Sequence, residues 1–405
     1  MKNIALIGLK YHNNIGDALA MKCTKYLIEK NNNDINIIEL DMYGRYCREK
    51  EDSVIIQESS KDKIKALITK FKLQELFNIY KEIRYCIDGS RKRAVSFYSK
   101  QLLNIDAVII VAAGTIKYDK TDDFGLYYDI ITKIAYRYKI PCLISAAGIE
   151  SSYNGNDFRC RRFQKAINRD NVLLITCRDN LSELKKYINN VTIPVYSVAD
   201  PAVWAAKLDC NGIKHFKREK IGISVITFQR FIQYNSKIDK YTYESTICSL
   251  MRELSSKGIE WRLFSNGHSE DTDYAIELCK KAGFTNTELY MLPPPVEPED
   301  LTDIISQFSL IITARLHACI VAYSLGIPFI AFNWSDKIKL FAQKVGLGDY
   351  IIDDNLSCGN IYNLIEKLED FKYDDKEKKI YKESIEDSLN DFIHKVKAFD
   401  KKDEG

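Results

Sequence analysis

Along most of the chain, short runs of Val, Ile, Leu and Ala alternate with polar turns and with longer stretches whose apolar residues recur every three or four positions. The runs read as strands buried on both faces and the stretches as amphipathic helices, and their alternation reads as parallel sheet flanked by helices. The pattern predicts strands over residues 3–9, 34–40, 106–112, 142–146, 172–176 and 194–198, with helices over 17–30, 124–138, 158–168 and 181–188. A second series predicts strands over 221–226, 261–265, 310–313 and 329–333, with helices over 241–256, 273–282, 317–325 and 337–345. Between the two lies a polar stretch, 207–220, with Asn211-Gly212 inside it, the composition of a linker. The expected fold class is α/β, two Rossmann-like doubly wound domains facing a cleft. Such folds bind ligands beyond the carboxyl ends of their strands.

The expected division is 1–206, 207–370 and a C-terminal amphipathic helix and tail over 371–405, where Ile380, Ile385, Leu389, Ile393 and Val396 fall at helical spacing. Residues 46–100 mix Lys, Arg and Glu with apolar positions and read as a charged helical insertion in the first domain. Because both charge signs are mixed there, a solvated helical face fits this segment better than a membrane-contacting one.

Length agrees with this division, since 405 residues exceed what one core organises at about 150 residues per domain. A balance of 59 basic against 56 acidic residues leaves no global field to gather nucleic acid, so no nucleic-acid partner is expected and any anion site must be local. The opening apolar run is too short for a signal peptide, and no window reaches the roughly 18 apolar residues that span a bilayer. The expectation is a cytoplasmic protein, with the inner face of the membrane, by peripheral contact, as a second location. Eleven cysteines are scattered singly without a CxxC pair, which reads as free thiols rather than a disulfide or zinc framework. No cofactor and no metal are expected.

Candidate chemistry gathers at predicted strand ends. Ile311-Ile312-Thr313-Ala314-Arg315-Leu316-His317 ends a buried strand and opens a helix, where backbone N–H groups and the helix dipole favour an anion. Arg315 offers a planar fork for carboxylate or phosphate, and His317 can exchange a proton near neutral pH; a surface ion pair and a cap would use the same residues. One βαβ step later, Asn333-Trp334-Ser335-Asp336-Lys337 adds the cation of Lys337, or else a solvated first-turn lysine. After the first strand, Lys10-Tyr11-His12-Asn13-Asn14-Ile15-Gly16-Asp17 places His12 and Asn14 toward the cleft. Gly16 permits a close backbone approach and Asp17 can cap the helix, as in any tight turn. Ala112-Ala113-Gly114-Thr115 leaves room for a ligand at Gly114 and Thr115, or for close helix packing. Arg178 stands at another strand end, and Asp200-Pro201 can orient an arginine or a sugar hydroxyl, or simply form a turn.

Taken in order, Asn14-Ile15-Gly16-Asp17, Ala113-Gly114-Thr115, Arg178-Asp179 with Ser182, Asp200-Pro201, Ala314-Arg315-Leu316-His317, Gly326-Ile327-Pro328 and Lys337 resemble the polysaccharide pyruvyl transferase family over residues 3–346. One departure is Ala112-Ala113-Gly114, where the family commonly has a run of glycines. The resemblance implies a two-domain fold similar to GT-B glycosyltransferases, with the first domain on the acceptor side and the second on the donor side. It also implies phosphoenolpyruvate as donor, a sugar or lipid-linked saccharide as acceptor, and a cyclic ketal on a cell-surface polysaccharide or its precursor as product. His317 and Arg315 are then the catalytic pair, with Arg178, Lys337, Asn14, Asp17, Gly114, Thr115, Asp200 and His12 binding substrate. A GT-B-type glycosyltransferase using a sugar nucleotide and a non-catalytic sugar-phosphate-binding protein are the alternative readings.

Overall fold

The computed structural model describes residues 1–12, 14–47, 89–111, 113–118, 124–208, 220–234, 236–353 and 357–403. Its first sheet is built from β1 (Lys2–Gly8), β2 (Ile35–Asp41), β3 (Ala107–Val111), β4 (Cys142–Ala147), β5 (Val172–Cys177) and β6 (Val195–Ser197). These six pair in the order β2-β1-β3-β4-β5-β6, every pair parallel. A second parallel sheet holds β7 (Lys220–Ser224), β8 (Trp261–Leu263), β9 (Phe308–Thr313), β10 (Phe329–Phe332) and β11 (Ile351–Ile352), in the order β11-β10-β9-β7-β8. Helices join successive strands, so the class is α/β with two domains, as the apolar pattern predicts.

Strand composition follows from burial on both faces. All five residues of β3 are buried, and in β1 the even positions Ile4 and Leu6 enter one apolar cluster while Ala5 and Ile7 enter another. The cluster holding Ile4 and Leu6 does not stop at the first sheet. It runs through the helix Ile15–Asn31, the 3₁₀ turn Pro201–Lys207 and the helix Leu316–Leu325 into the core around β7, β9 and β10. The two domains are therefore welded by apolar packing on one side and open as a cleft only along their strand ends.

The C-terminal helix, Asp375–Asp403, returns to the first sheet and packs on the helix Ile15–Asn31, the Pro201–Lys207 turn, β4 and β5. Ile385, Leu389, Ile393 and Val396 face the core as the spacing predicts, but Ile380 is 60% exposed, because the buried stripe runs back from Ile385 to Tyr381, which packs on Tyr323, and leaves position 380 on the outer face. Phe392 is fully buried on the same face. The helices Phe228–Gln233, Pro298–Ser306 and Cys358–Lys367 have no counterpart in the sequence reading. In the region read as a charged insertion, the helix Ser90–Gln101 is observed, while residues 48–88 lie outside the described residues. The same holds for Asn13, Ala112, most of the linker (209–219) and the last two residues of the tail. Nine cysteines among the described residues are free, seven of them buried. Among the described residues no helix is long and apolar enough to cross a membrane.

Phe392→Ala should cost about 3–5 kcal/mol, the penalty for emptying a buried aromatic site. Urea unfolding of the full chain measures it, and a change below about 1 kcal/mol would mean the C-terminal helix is not anchored there.

Candidate active site

β9 ends where the Thr313 hydroxyl accepts the N–H of Arg315 at 3.0 Å, and the helix Leu316–Leu325 starts immediately. His317 thus falls in the first turn of a helix that is buried along its whole length. Its ring lies against the backbone of Gly16 from the first domain, so close that a Cβ at position 16 would overlap the imidazole. The close approach that Gly16 permits is therefore to His317. The Nε2 atom lies 3.8 Å from Asp17 and 3.9 Å from Asp200, and makes no hydrogen bond. Burial pushes the imidazole pKa below its ordinary value, outweighing the pull of Asp17 and Asp200 in the other direction. His317 is accordingly neutral near pH 7, with a nitrogen able to accept a proton and two carboxylates beside it to stabilise the cation that results.

Three cations converge around this imidazole. Arg178, at the carboxyl end of β5, is ion-paired with Asp200; Arg315 is ion-paired with Asp271; Lys337, in the helix Asp336–Lys344 after β10, meets Glu150 at 2.5 Å. Asp200 and Asp271 are each 2% exposed and lie behind their arginines, orienting the guanidinium groups. Asp200 orients an arginine and also forms the turn, since its other oxygen accepts the N–H of Ala202 to start the Pro201–Lys207 turn, but it is not among the residues that line the cavity, where substrate contact was expected of it.

The carboxyl ends of β1, β3, β4, β5, β8, β9 and β10 open on one cavity of about 490 Å³ between the sheets. His12, Asn14, Asp17, Gly114, Arg178, Arg315, His317 and Lys337 all line it. Thr115 does not: it is fully buried, with its hydroxyl paired to the Tyr128 hydroxyl at 2.7 Å, so the ligand contact expected of it is replaced by a core hydrogen bond. Asp17 is not the helix cap either. Asn14 holds the cap position, without a side-chain cap bond, and its amide donates to Asp17 at 2.9 Å, leaving that carboxylate turned toward His317.

Several lining residues escaped the sequence reading, among them Glu150, Tyr234, Asn266 and His268. Neither amide atom of the 1% exposed Asn266 has a partner, and Asn14 Oδ1 and Arg178 Nε are likewise buried and unpartnered. Such converging unsatisfied groups fit a cavity built for a polar ligand. Burial, then Arg315 and His12, push the pKa of His268 down to about 2, so it too is neutral. Among the described residues no group of three or more His, Cys, Asp or Glu is arranged to hold a metal ion.

The family model for polysaccharide pyruvyl transferases matches residues 14–336, most of the chain and the strand-end elements from Asn14 to Arg315 and His317, with His12 and Lys337 just outside it. The chain belongs to the polysaccharide pyruvyl transferase family. No curated protein matches it by sequence. Solved structures similar to this pyruvyl transferase family member include the Methanocaldococcus jannaschii UDP-GlcNAc 2-epimerase in complex with UDP-GlcNAc and UDP, 12% identical with a TM-score of 0.51, covering 97% of this chain and 100% of that one. The Neisseria meningitidis UDP-GlcNAc 2-epimerase bound to UDP-GlcNAc is also 12% identical, with a TM-score of 0.53 and coverage of 95% and 94%. At such identities the likeness is one of fold, and the fold is the GT-B-like pair of domains.

Two predictions follow from the imidazoles. Gly16→Ala should displace His317 or part the domains around it, costing about 1–3 kcal/mol as overpacking does, read by thermal unfolding; an unchanged midpoint would refute the contact. His268 and His317 both have native pKa values below the ordinary 6.5, so the unfolded chain binds protons that the native one excludes. Stability should therefore fall as pH drops from about 6.5, by up to about 1.4 kcal/mol per pH unit for each histidine. Urea unfolding between pH 7.5 and 5.5 measures the slope, and His268→Asn should flatten it.

Proposed function

We propose that the cavity takes phosphoenolpyruvate and transfers its pyruvyl group to a saccharide as a cyclic ketal. The observation that carries this reading is the meeting of Arg178, Arg315 and Lys337 around a neutral, buried imidazole with an unpartnered nitrogen. Phosphoenolpyruvate brings a carboxylate and a phosphate on a small enol, which calls for several cations with donors in fixed geometry. Arg178 and Arg315 hold the anionic groups, and Lys337 neutralises the phosphate.

The resting state of His317 sets the order of proton movements. A neutral imidazole takes the proton of the attacking sugar hydroxyl and becomes an imidazolium stabilised by Asp17 and Asp200. It then passes that proton to the methylene carbon, which becomes the methyl group, while the hydroxyl oxygen bonds to C2. The C2–O bond to phosphate breaks, a second hydroxyl of the same sugar bonds to C2, and its proton leaves with the phosphate. The chemistry consumes no redox equivalent. General acid–base catalysis of this kind contributes about 10²–10⁴ in rate.

Donor binding can be tested without knowing the acceptor. A ligand at 100 times its Kd stabilises by about 2.7 kcal/mol, so phosphoenolpyruvate should raise the melting midpoint and Arg315→Ala should abolish the rise. His317→Ala should keep donor binding and lose about 10²–10⁴ in turnover once an acceptor is supplied. Stabilisation by a nucleoside diphosphate and not by phosphoenolpyruvate would overturn the reading in favour of sugar-nucleotide chemistry.

A further inference from the structure

Arg178, Arg315 and Lys337 are not paired in the same way. Asp271 and Asp200 stand behind Arg315 and Arg178, and neither lines the cavity. Glu150 stands in front. It comes from the first domain just after β4, lines the cavity itself, and reaches across the cleft to residues of the second domain. One carboxylate oxygen accepts from Lys337 Nζ at 2.5 Å and the other from the Tyr234 hydroxyl at 2.5 Å. With the Glu150 side chain 7% and the Lys337 side chain 17% exposed, the pair is largely shielded from water.

The surrounding backbone is shaped for this placement. At the end of β4 the register breaks between Ile144 and Ala147, and Ala146 adopts φ 50°, a left-handed conformation disfavoured for a residue with a Cβ. That turn sends the chain into the cleft, where the Ile149 N–H is taken by Asp179 and the Glu150 N–H by the Ile116 carbonyl. Gly114 supplies the space, since a Cβ there would overlap the Glu150 carboxylate. Glu150, Tyr234 and Lys337 also line a second pocket of about 180 Å³ with Ser151, Asp179 and Asp336, so the pair forms the partition between two cavities.

We propose that Glu150 is a resident anion that holds the place of the donor's phosphate on Lys337, and that a donor must displace it to bind. Burial alone would raise the pKa of Glu150, but the Lys337 ammonium and the hydrogen bonds from Lys337 and Tyr234 prevail and hold it down to about 2, so the stand-in is charged at every working pH. In the empty site it spares Lys337 the cost of lying half-buried without a counterion. During binding it acts as a threshold. A phosphate dianion outcompetes one carboxylate for the ammonium, whereas a monocarboxylate only exchanges like for like. The pocket on the far side gives the displaced side chain room to withdraw. Glu150 is thus a specificity-determining residue that discriminates phosphorylated donors from dephosphorylated ones.

This inference rests on the reading that the cavity binds an anionic donor, and calorimetric titration of the full-length protein with phosphoenolpyruvate, pyruvate and inorganic phosphate separates the two. Glu150→Gln should bind phosphoenolpyruvate about tenfold tighter than the wild type, the effect of weakening one competing charge-assisted hydrogen bond. It should also bind pyruvate measurably, narrowing the preference for phosphoenolpyruvate. Lys337→Met in the same background should erase the gain. Should the glutamine variant fail to fold, Glu150→Asp, which draws the carboxylate back by one methylene, should give a smaller gain of the same sign. A residue with only a structural role would leave affinity unchanged or weaken it, and either result in a folded variant overturns the proposal. If the wild type and all variants ignore phosphoenolpyruvate, the donor reading falls; tighter binding of inorganic phosphate by the glutamine variant would still support Glu150 as a resident anion.

Discussion

The site depends on the close packing of one imidazole against one glycine backbone. His317 belongs to the second domain and Gly16 to the first, and their contact leaves no room for a side chain between them. It places the ring between Asp17 and Asp200, both supplied by the first domain, and removes it from water. The neutrality of the imidazole, its unpartnered nitrogen and the two carboxylates beside it all follow from this placement. Neither domain alone contains this centre.

The charged groups obey the same economy. Buried cations are tolerable only when paired and hydrogen-bonded, and Arg178, Arg315 and Lys337, three of the cations that line the cavity, each have an acid of their own. Two of those acids serve as fixed supports, orienting forks that a ligand can approach from the other side. The third lies on the approach path itself. This difference in where the acids stand bears on the cavity's electrostatic character: under the proposal made above, the charge of Lys337 is released only when an incoming anion replaces Glu150.

Much of the fold was legible because strands buried on both faces must be written as unbroken apolar runs, and their ends fell within a few residues of the observed ones. Arg178, Arg315, His317 and Lys337 could be placed at strand ends for the same reason, since in a doubly wound sheet position along the chain nearly fixes position in space. What could not be read were partners that depend on long-range packing. Glu150 and Asp271 sit in segments without a distinguishing pattern, and they meet their cations 187 and 44 positions away. Thr115 was misjudged because a hydroxyl after a small-residue turn can point to a ligand or to the core, and only the position of Tyr128 decides. Ile380 stands five positions before Ile385, off the buried stripe, where Tyr381 takes its place against the body, while Phe392, fully buried in the same stripe, was overlooked among its aliphatic neighbours.

The continuous apolar seam that joins the sheets also bears on how the molecule moves. In many two-domain enzymes a hinge lets the halves rock apart, and substrate capture is a rigid-body event. Here a single hydrophobic cluster extends from β1 to the core around β9 and is closed over by the C-terminal helix, so opening the cleft would expose apolar surface to water. Rocking is thereby made expensive, and adaptation falls to side chains at the rim. Loss of packing anywhere along the seam would then register first as a loosened imidazole, making the reactivity of the centre a gauge of how firmly the two halves are docked.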